Sequence, residues 1–332
     1  MRDALDRAAR PLMFVGGGAL VAERDAAAVV ALADVLQAPI VTSYQGSVAD
    51  WNHRLYLGPW ASERAVAELC TEADRALVLG SKLSALGTAY HRLVLPENTW
   101  AIGPGVHHPR YPQLQRIDAD APSAARHLAD SITQKASWTN GRVRAIQADV
   151  RAEAARLSGT ELAYLDAIGD SAEAPSLVSA DMCKAGFWLM KHLQVRSSGM
   201  HAFSSYMTMG TALPMAIGMT LARGEPSLAV VGDGGFQMSL AELATLVELQ
   251  APVIMMVGVD GAYGLLRDNS AAVGGSTDLG LVLWNPDFRQ LALAYGISAE
   301  VIAQPADLRA ALSRPTTGPR MLLVTEPFNR RW

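Results

Sequence analysis

Two aspartates set among glycines are the residues with the clearest chemical promise. Asp233 lies in Gly232-Asp233-Gly234-Gly235, directly after the apolar run Leu228 to Val231. Asp260 lies in Val259-Asp260-Gly261, directly after the apolar run Val253 to Val257. Short apolar runs that break into glycine read as buried strands. Between them Phe236, Leu240, Leu243, Ala244 and Val247 are spaced to share one helical face, and Pro252 ends that helix. A strand, a crossover helix and a parallel strand leave both strand ends on one sheet edge, where α/β proteins bind ligands. Two carboxylates there suit a divalent cation, and glycine backbone lets a phosphate approach closely. The plain alternative is a βαβ unit whose aspartates only form turns.

With its spacing, Phe236 and Glu242-Leu243 taken together, this stretch resembles a cofactor fingerprint. The family is that of thiamine-diphosphate-dependent enzymes: acetolactate synthases, pyruvate oxidases and 2-oxoacid decarboxylases. Their fingerprint is Gly-Asp-Gly followed, after the next strand, by paired asparagines. Gly232-Asp233-Gly234 matches, but Val259 and Asp260 stand at the pair. The resemblance implies that Asp233, the Asp260 side chain and the Ala262 carbonyl ligand Mg²⁺, which bridges the diphosphate oxygens. Gly235 and Tyr263-Gly264-Leu265 would complete the cofactor loops. Aspartate keeps the metal chemistry possible, while its extra negative charge beside a diphosphate works against cofactor binding.

The segment Thr208-Met209-Gly210-Thr211-Ala212-Leu213-Pro214-Met215-Ala216-Ile217-Gly218 is similar to the family's apolar residue, glycine and Pro-x-Ala-x-Gly helix. It implies that Met209 wedges between the two cofactor rings and that the Met207 carbonyl accepts a hydrogen bond from the aminopyrimidine. Methionine before a helix is otherwise core filling. Cys183-Lys184-Ala185 stand where many carboligases have Gly-Gln-His. Lys184 is therefore a candidate to face a substrate carboxylate or the diphosphate; a surface lysine at a helix start is the alternative. Leu266 stands where simple pyruvate decarboxylases carry a glutamate, which argues against that subtype. His192 and His201 read as structural histidines.

The elements that must position these residues alternate between strand and helix. Pro11 to Gly18 reads as a strand ending in a glycine turn, Glu23 to Gln37 as a helix and Ile40 to Thr42 as a strand. Strands Arg75 to Leu79, Thr99 to Ile102 and Leu114 to Ile117 and a helix Ser123 to Ile132 follow. The fold class predicted is α/β, with two doubly wound parallel-sheet domains. Gly16-Gly17-Gly18 meets only part of the dinucleotide pattern, and Ser43-Tyr44-Gln45 offers no acidic residue for a ribose; a tight structural turn is expected. Arg10-Pro11, His53 to Gly58 and Arg116 to Asp120 resemble the family's middle domain. Some of its members bind FAD or an adenine nucleotide there, and nothing in this sequence supports either. The expected division is a middle, Rossmann-like domain at 1–135, a connector at 136–174 with a surface helix Val143 to Leu157, and a diphosphate- and Mg²⁺-binding domain at 175–332. That last domain would open with strand Ser176 to Ala180. It would continue through Asn285-Pro286-Asp287-Phe288 and a helix to Ala294, and close with strand Met321 to Thr325.

Composition narrows the function classes. The chain has 332 residues, half of them hydrophobic and 18% charged, with net charge −4. That balance argues against a nucleic-acid surface. Cys70 and Cys183, far apart, suggest neither a disulfide framework nor a zinc site and fit a reducing cytoplasm. Met1-Arg2-Asp3 is no apolar leader, and no apolar run is long enough to span a bilayer.

The resemblance further implies a domain that binds the pyrimidine and supplies an activating glutamate, and no glutamate here has a suitable context. Two explanations fit, a separately encoded partner that carries that domain or a truncated chain; the expectation is the first, a split enzyme assembled as a heterotetramer or larger. It would decarboxylate a 2-oxo acid and transfer the resulting acyl-anion equivalent to a carbonyl acceptor. A non-catalytic scaffold or regulatory subunit is the rival reading, supported by Val259-Asp260 and the missing Gly-Gln-His.

Overall fold

The computed structural model describes residues 1–49, 51–105, 108–133, 135–171, 173–193, 199–202, 207–277 and 280–325. They divide into two units, Met1–Glu153 and Ala154–Trp332. The first contains α1 (Arg2–Asp6), β1 (Pro11–Val15), α2 (Glu23–Leu36), β2 (Ile40–Thr42), β3 (Tyr56–Gly58) and α3 (Arg64–Glu72). It continues with β4 (Arg75–Leu79), β5 (Thr99–Ile102), β6 (Gln115–Ile117), α4 (Ala121–Ser131) and the start of α5 (Arg142–Gly169). Its six strands are ordered β3-β2-β1-β4-β5-β6 and pair in parallel.

Both faces of this sheet are covered, which is why its strands are apolar throughout rather than alternating. Leu12, Phe14, Ala76 and Val78 enter one core, while Met13, Val15, Leu77 and Leu79 enter the other. The sheet reverses direction between β1 and β4, the usual place for a nucleotide crevice. Here the two loops at that point close on each other. The Gly18 amide donates to the Gly80 carbonyl at 2.9 Å, and a methyl group on Gly16 would lie 2.5 Å from the same oxygen. The Gly16-Gly17-Gly18 turn is thus a close-packed structural turn.

The 136–174 segment is not the surface connector expected. Its helix runs from Arg142 to Gly169 with one non-helical residue, Ser158. Val143, Ile146 and Val150 are buried in a core of the first unit, and Leu162, Tyr164, Leu165 and Ile168 are buried in turn. Spacings of three and four residues put these apolar side chains on common faces, so burial follows from the helix period. The division between the units falls inside this helix.

The second unit holds β7 (Leu177–Ala180), α6 (Lys184–His192), β8 (Met200–Ala202), α7 (Ala212–Arg223), β9 (Ser227–Gly232) and α8 (Asp233–Met238). Then come α9 (Glu242–Glu248), β10 (Val253–Val259), α10 (Gly264–Ala272), α11 (Phe288–Ala294), β11 (Ser298–Ile302), α12 (Pro305–Leu312) and β12 (Arg320–Thr325). The parallel sheet is ordered β11-β12-β10-β9-β7-β8. Ala229, Val231, Val253, Met255, Val257, Met321 and Leu323 fill one face; Leu228, Val230, Ile254, Met256, Leu322 and Val324 are buried on the other.

The single crossover helix expected after Asp233 is two helices, broken at residues 239–241. Ser239 turns its hydroxyl back onto the Phe236 carbonyl at 3.2 Å, a local bond that competes with helix continuation. As a result Ala244 is exposed, and Leu246 joins Leu243 in the core. Among the described residues no helix is long and apolar enough to cross a membrane.

Candidate functional site

The site forms where the second sheet changes direction. β8 pairs on one side of β7 and β9 on the other, so the chain winds both ways from β7 and opens a crevice at the strand ends. Into it come the residues after β7, after β9 and after β10. Lys184, Met209, Gly232, Asp233, Gly234, Gly235, Asp260, Ala262, Tyr263, Gly264 and Leu265 all line one cavity of about 110 Å³. Met207 is not part of this lining; it takes a left-handed backbone conformation, φ 55°, two residues before Met209.

Asp233 is 2% exposed at the start of α8. Its Oδ1 accepts the Gly234 amide at 2.9 Å. Its Oδ2 accepts the Gly261 amide at 2.8 Å and the Asn285 Nδ2 at 2.7 Å. Asn285 is held in turn by Gln237, whose Nε2 donates to its Oδ1 at 2.7 Å. Burial pushes the Asp233 carboxyl above the usual carboxylate range; the Asn285 and Gly261 donors oppose that shift, and the charge on Asp260 adds to it. A buried carboxylate with a second carboxylate near it favours a cation as a partner.

Asp260 is engaged differently. Its Oδ1 accepts the Ala262 amide at 3.1 Å, while its Oδ2 lies 3.4 Å from both the Lys184 Nζ and the Arg267 Nη2. Lys184 also meets the Asp268 Oδ2 at 2.9 Å. Lys184 is therefore not a surface lysine: it is 7% exposed. The loop around Asp260 is fixed by Leu283, whose amide donates to Gly261 at 2.9 Å, and by Tyr263, whose amide donates to Leu281 at 2.8 Å.

A third acidic residue, Asp181, organises the same edge. It follows β7, is fully buried, and accepts the Gly210 amide at 2.7 Å and the Thr211 amide at 3.2 Å. These bonds tie the Met209 segment to the sheet. Burial raises its carboxyl pKa, and the two amides oppose the rise. The glycines of the fingerprint serve close packing. A methyl on Gly235 would fall 2.0 Å from the Asp181 Oδ2, one on Gly234 2.7 Å from the Tyr263 ring, and one on Gly264 1.9 Å from the Asp260 Oδ2.

Asp181, Asn285, Arg267 and Asp268 were not singled out from the sequence as site residues. For Asp181 a signal existed, an acidic residue directly after an apolar strand. Asn285 and Asp268 act through partners distant along the chain, Asp233 and Lys184, whereas Arg267 reaches back seven residues to Asp260. His192 lies against Trp188 with ring centroids 5.0 Å apart and planes tilted by 32°, and burial lowers the His201 pKa; neither lines the cavity.

Among the described residues no three His, Cys, Asp or Glu side chains gather into a metal cage. A magnesium ion does not need one, since one or two carboxylates, a carbonyl, water and phosphate oxygens satisfy it. Asp233 and Asp260 with the Ala262 backbone supply such a donor set at a cavity walled by glycine. The residues fit the ion and a diphosphate.

The profile of "Thiamine pyrophosphate enzyme, central domain" matches residues 1–102, and that of "Thiamine pyrophosphate enzyme, C-terminal TPP binding domain" matches residues 181–325. A probable 2-ketoarginine decarboxylase of Pseudomonas aeruginosa is 31% identical, over 92% of this chain and 55% of its own length. The pyruvate oxidase of Lactiplantibacillus plantarum is 27% identical, over 86% of this chain and 49% of its own. The large subunit of acetolactate synthase isozyme 2 of Escherichia coli is 26% identical, over 98% and 61% respectively. The chain thus spans about half the length of the curated relatives it matches, 55% of one and 49% of another.

Proposed function

Because the chain belongs to the thiamine pyrophosphate enzymes, we propose that it holds the diphosphate and metal of an enzyme that decarboxylates a 2-oxo acid. Carbon dioxide would leave, and the acyl-anion equivalent so formed would pass to a carbonyl acceptor. The observation that carries this reading is the cavity at the ends of β9 and β10, where the buried Asp233 and the partly exposed Asp260 face glycine backbone. In this reading Asp233, Asp260 and the Ala262 carbonyl hold Mg²⁺. Asn285 and Gln237 keep the Asp233 carboxylate aimed, and the glycine backbone at 234–235 would let a diphosphate approach closely. Met209 props the cofactor from a segment clamped by Asp181, with Met207 as the hydrogen-bonding carbonyl beside it. Leu265 and Leu266 give that part of the cavity an apolar wall with no acid at position 266. The cofactor, when bound, supplies the electron sink that decarboxylation of a 2-oxo acid requires.

The proton-moving half of the reaction belongs, in this proposal, to a separate pyrimidine-binding domain with its glutamate. We propose a partner subunit as its source, a heterotetramer or larger as the working unit, and the cytoplasm as its place, where the unpaired Cys70 and Cys183 would stay reduced. Oxidase or simple decarboxylase chemistry remains within the same family. One observation favours the rival reading of a non-catalytic subunit: the Asp260 Oδ2 already has Lys184 and Arg267 beside it.

Titration calorimetry with thiamine diphosphate and Mg²⁺, with the partner domain present, separates the two. Metal-dependent binding that is lost in Asp233→Ala is expected. No binding by the native protein supports the scaffold, and unchanged affinity in Asp233→Ala removes the assignment of the metal site.

A further inference from the structure

The pairing of Lys184 is unusual for a cavity that holds a dication, because it places a fixed cation on a metal-binding carboxylate. Its Nζ lies 2.9 Å from Asp268 and 3.4 Å from Asp260. The side chain is 8% exposed, and its Cε lies 2.9 Å from where a Gly264 methyl would stand. A buried ammonium on a packed stem cannot swing into water as a surface lysine does. Arg267 differs: its side chain is 34% exposed, so solvent can take it up when its place beside Asp260 is needed.

The charges of Lys184, Arg267, Asp260 and Asp268 cancel, whereas the donors around Asp233 are neutral, the Gly234 and Gly261 amides and Asn285. We propose that Lys184 is the built-in counter-ion of Asp260, and that a divalent cation reaches Asp260 only by displacing it. Asp268, the nearer partner, retains the displaced ammonium, so the exchange leaves no buried charge unpaired. The inference rests on the metal-site reading above and adds its regulation. Asp233 provides a standing attraction for the ion, while the second carboxylate is released to it against competition. Lys184 thus sets how tightly the site holds metal. Its substitution tightens metal binding, opposite to what a direct ligand contact would give.

Manganese serves as the probe, added alone to the purified chain and followed by electron paramagnetic resonance. Lys184→Met deletes the competing charge but takes from the Asp268 carboxylate the ammonium 2.9 Å away and threatens the fold. The pair Lys184→Met with Asp268→Leu removes both charges together and keeps the cluster neutral. Both variants are expected to bind Mn²⁺ more tightly than the native protein, by roughly tenfold or more for a unit charge at this distance. Adding Asp260→Asn to the pair should abolish the gain. Unchanged or weaker affinity in the Lys184 variants, with Asp233-dependent binding intact in the native protein, overturns the counter-ion role alone. A gain that survives Asp260→Asn also overturns it, since the effect would then be general charge repulsion. Absence of Mn²⁺ binding in every variant overturns the metal-site reading along with it.

Discussion

At the residue scale, the site is a set of exchanged roles among charged and polar side chains. Asp260 adds a negative charge at the edge of the cavity, and the fold answers it with Lys184 and Arg267. Asp233 owes its direction to Asn285, a residue more than fifty positions on in the chain. Cys183 is a further occupant of the cavity wall, with its Sγ accepting the Gly186 amide at 3.3 Å. Burial pushes its thiol, like that of Cys70, up to about 12. A thiol in that range carries almost no thiolate near neutrality, and the thiolate is the nucleophile. Iodoacetamide at pH 8 should therefore label both cysteines at least about a hundredfold more slowly than a free cysteine, and both should react quickly in urea. Rapid labelling of Cys183 in the folded protein, located by peptide mapping, would show that its surroundings are wetter than the geometry implies.

At the scale of elements, the start of α8 is wedged against the end of β7, and glycine is what lets them meet. Gly235 faces the Asp181 Oδ2 at a distance no methyl could share, and Asp181 is held in place by Gly210 and Thr211. Gly235→Ala should then destabilise the protein by about 1–3 kcal/mol, as overpacking does. Gly218 makes a control: it is exposed inside α7, and a methyl there would meet nothing within 4 Å. Gly218→Ala should stabilise by about 0.5–1 kcal/mol through the lost flexibility of the unfolded chain. Urea midpoints at constant m measure both changes; shifts of the same sign would mean that the contact between α8 and Asp181 is looser than described.

For the whole molecule, the decisive fact is coverage. Two units match the central and C-terminal domains of a family whose curated relatives are far longer, and this chain spans 55% of one of them. We expect release of carbon dioxide from a 2-oxo acid only when a pyrimidine-binding chain is mixed in, together with a shift to larger size on gel filtration. Equal release by this chain alone would place the proton-moving group within it and remove the partner from the proposal.

Much of this was written into the sequence by periodicity. The runs at Leu228 to Val231 and Val253 to Val257 are apolar on both faces because both faces are covered, so each reads as a central strand before any coordinates exist. With a helix-forming crossover between them, Asp233 and Asp260 had to reach one sheet edge. The short strands β3 and β8 and the half-exposed β11 had no such signature. The break after Met238 was equally illegible, because a serine hydroxyl returning to the backbone leaves the apolar spacing intact. What only the tertiary structure decided is which side chains meet at that edge. Local pattern fixes where a strand ends; the order β10-β9-β7 brings Lys184 to Asp260, and that order depends on contacts between distant segments.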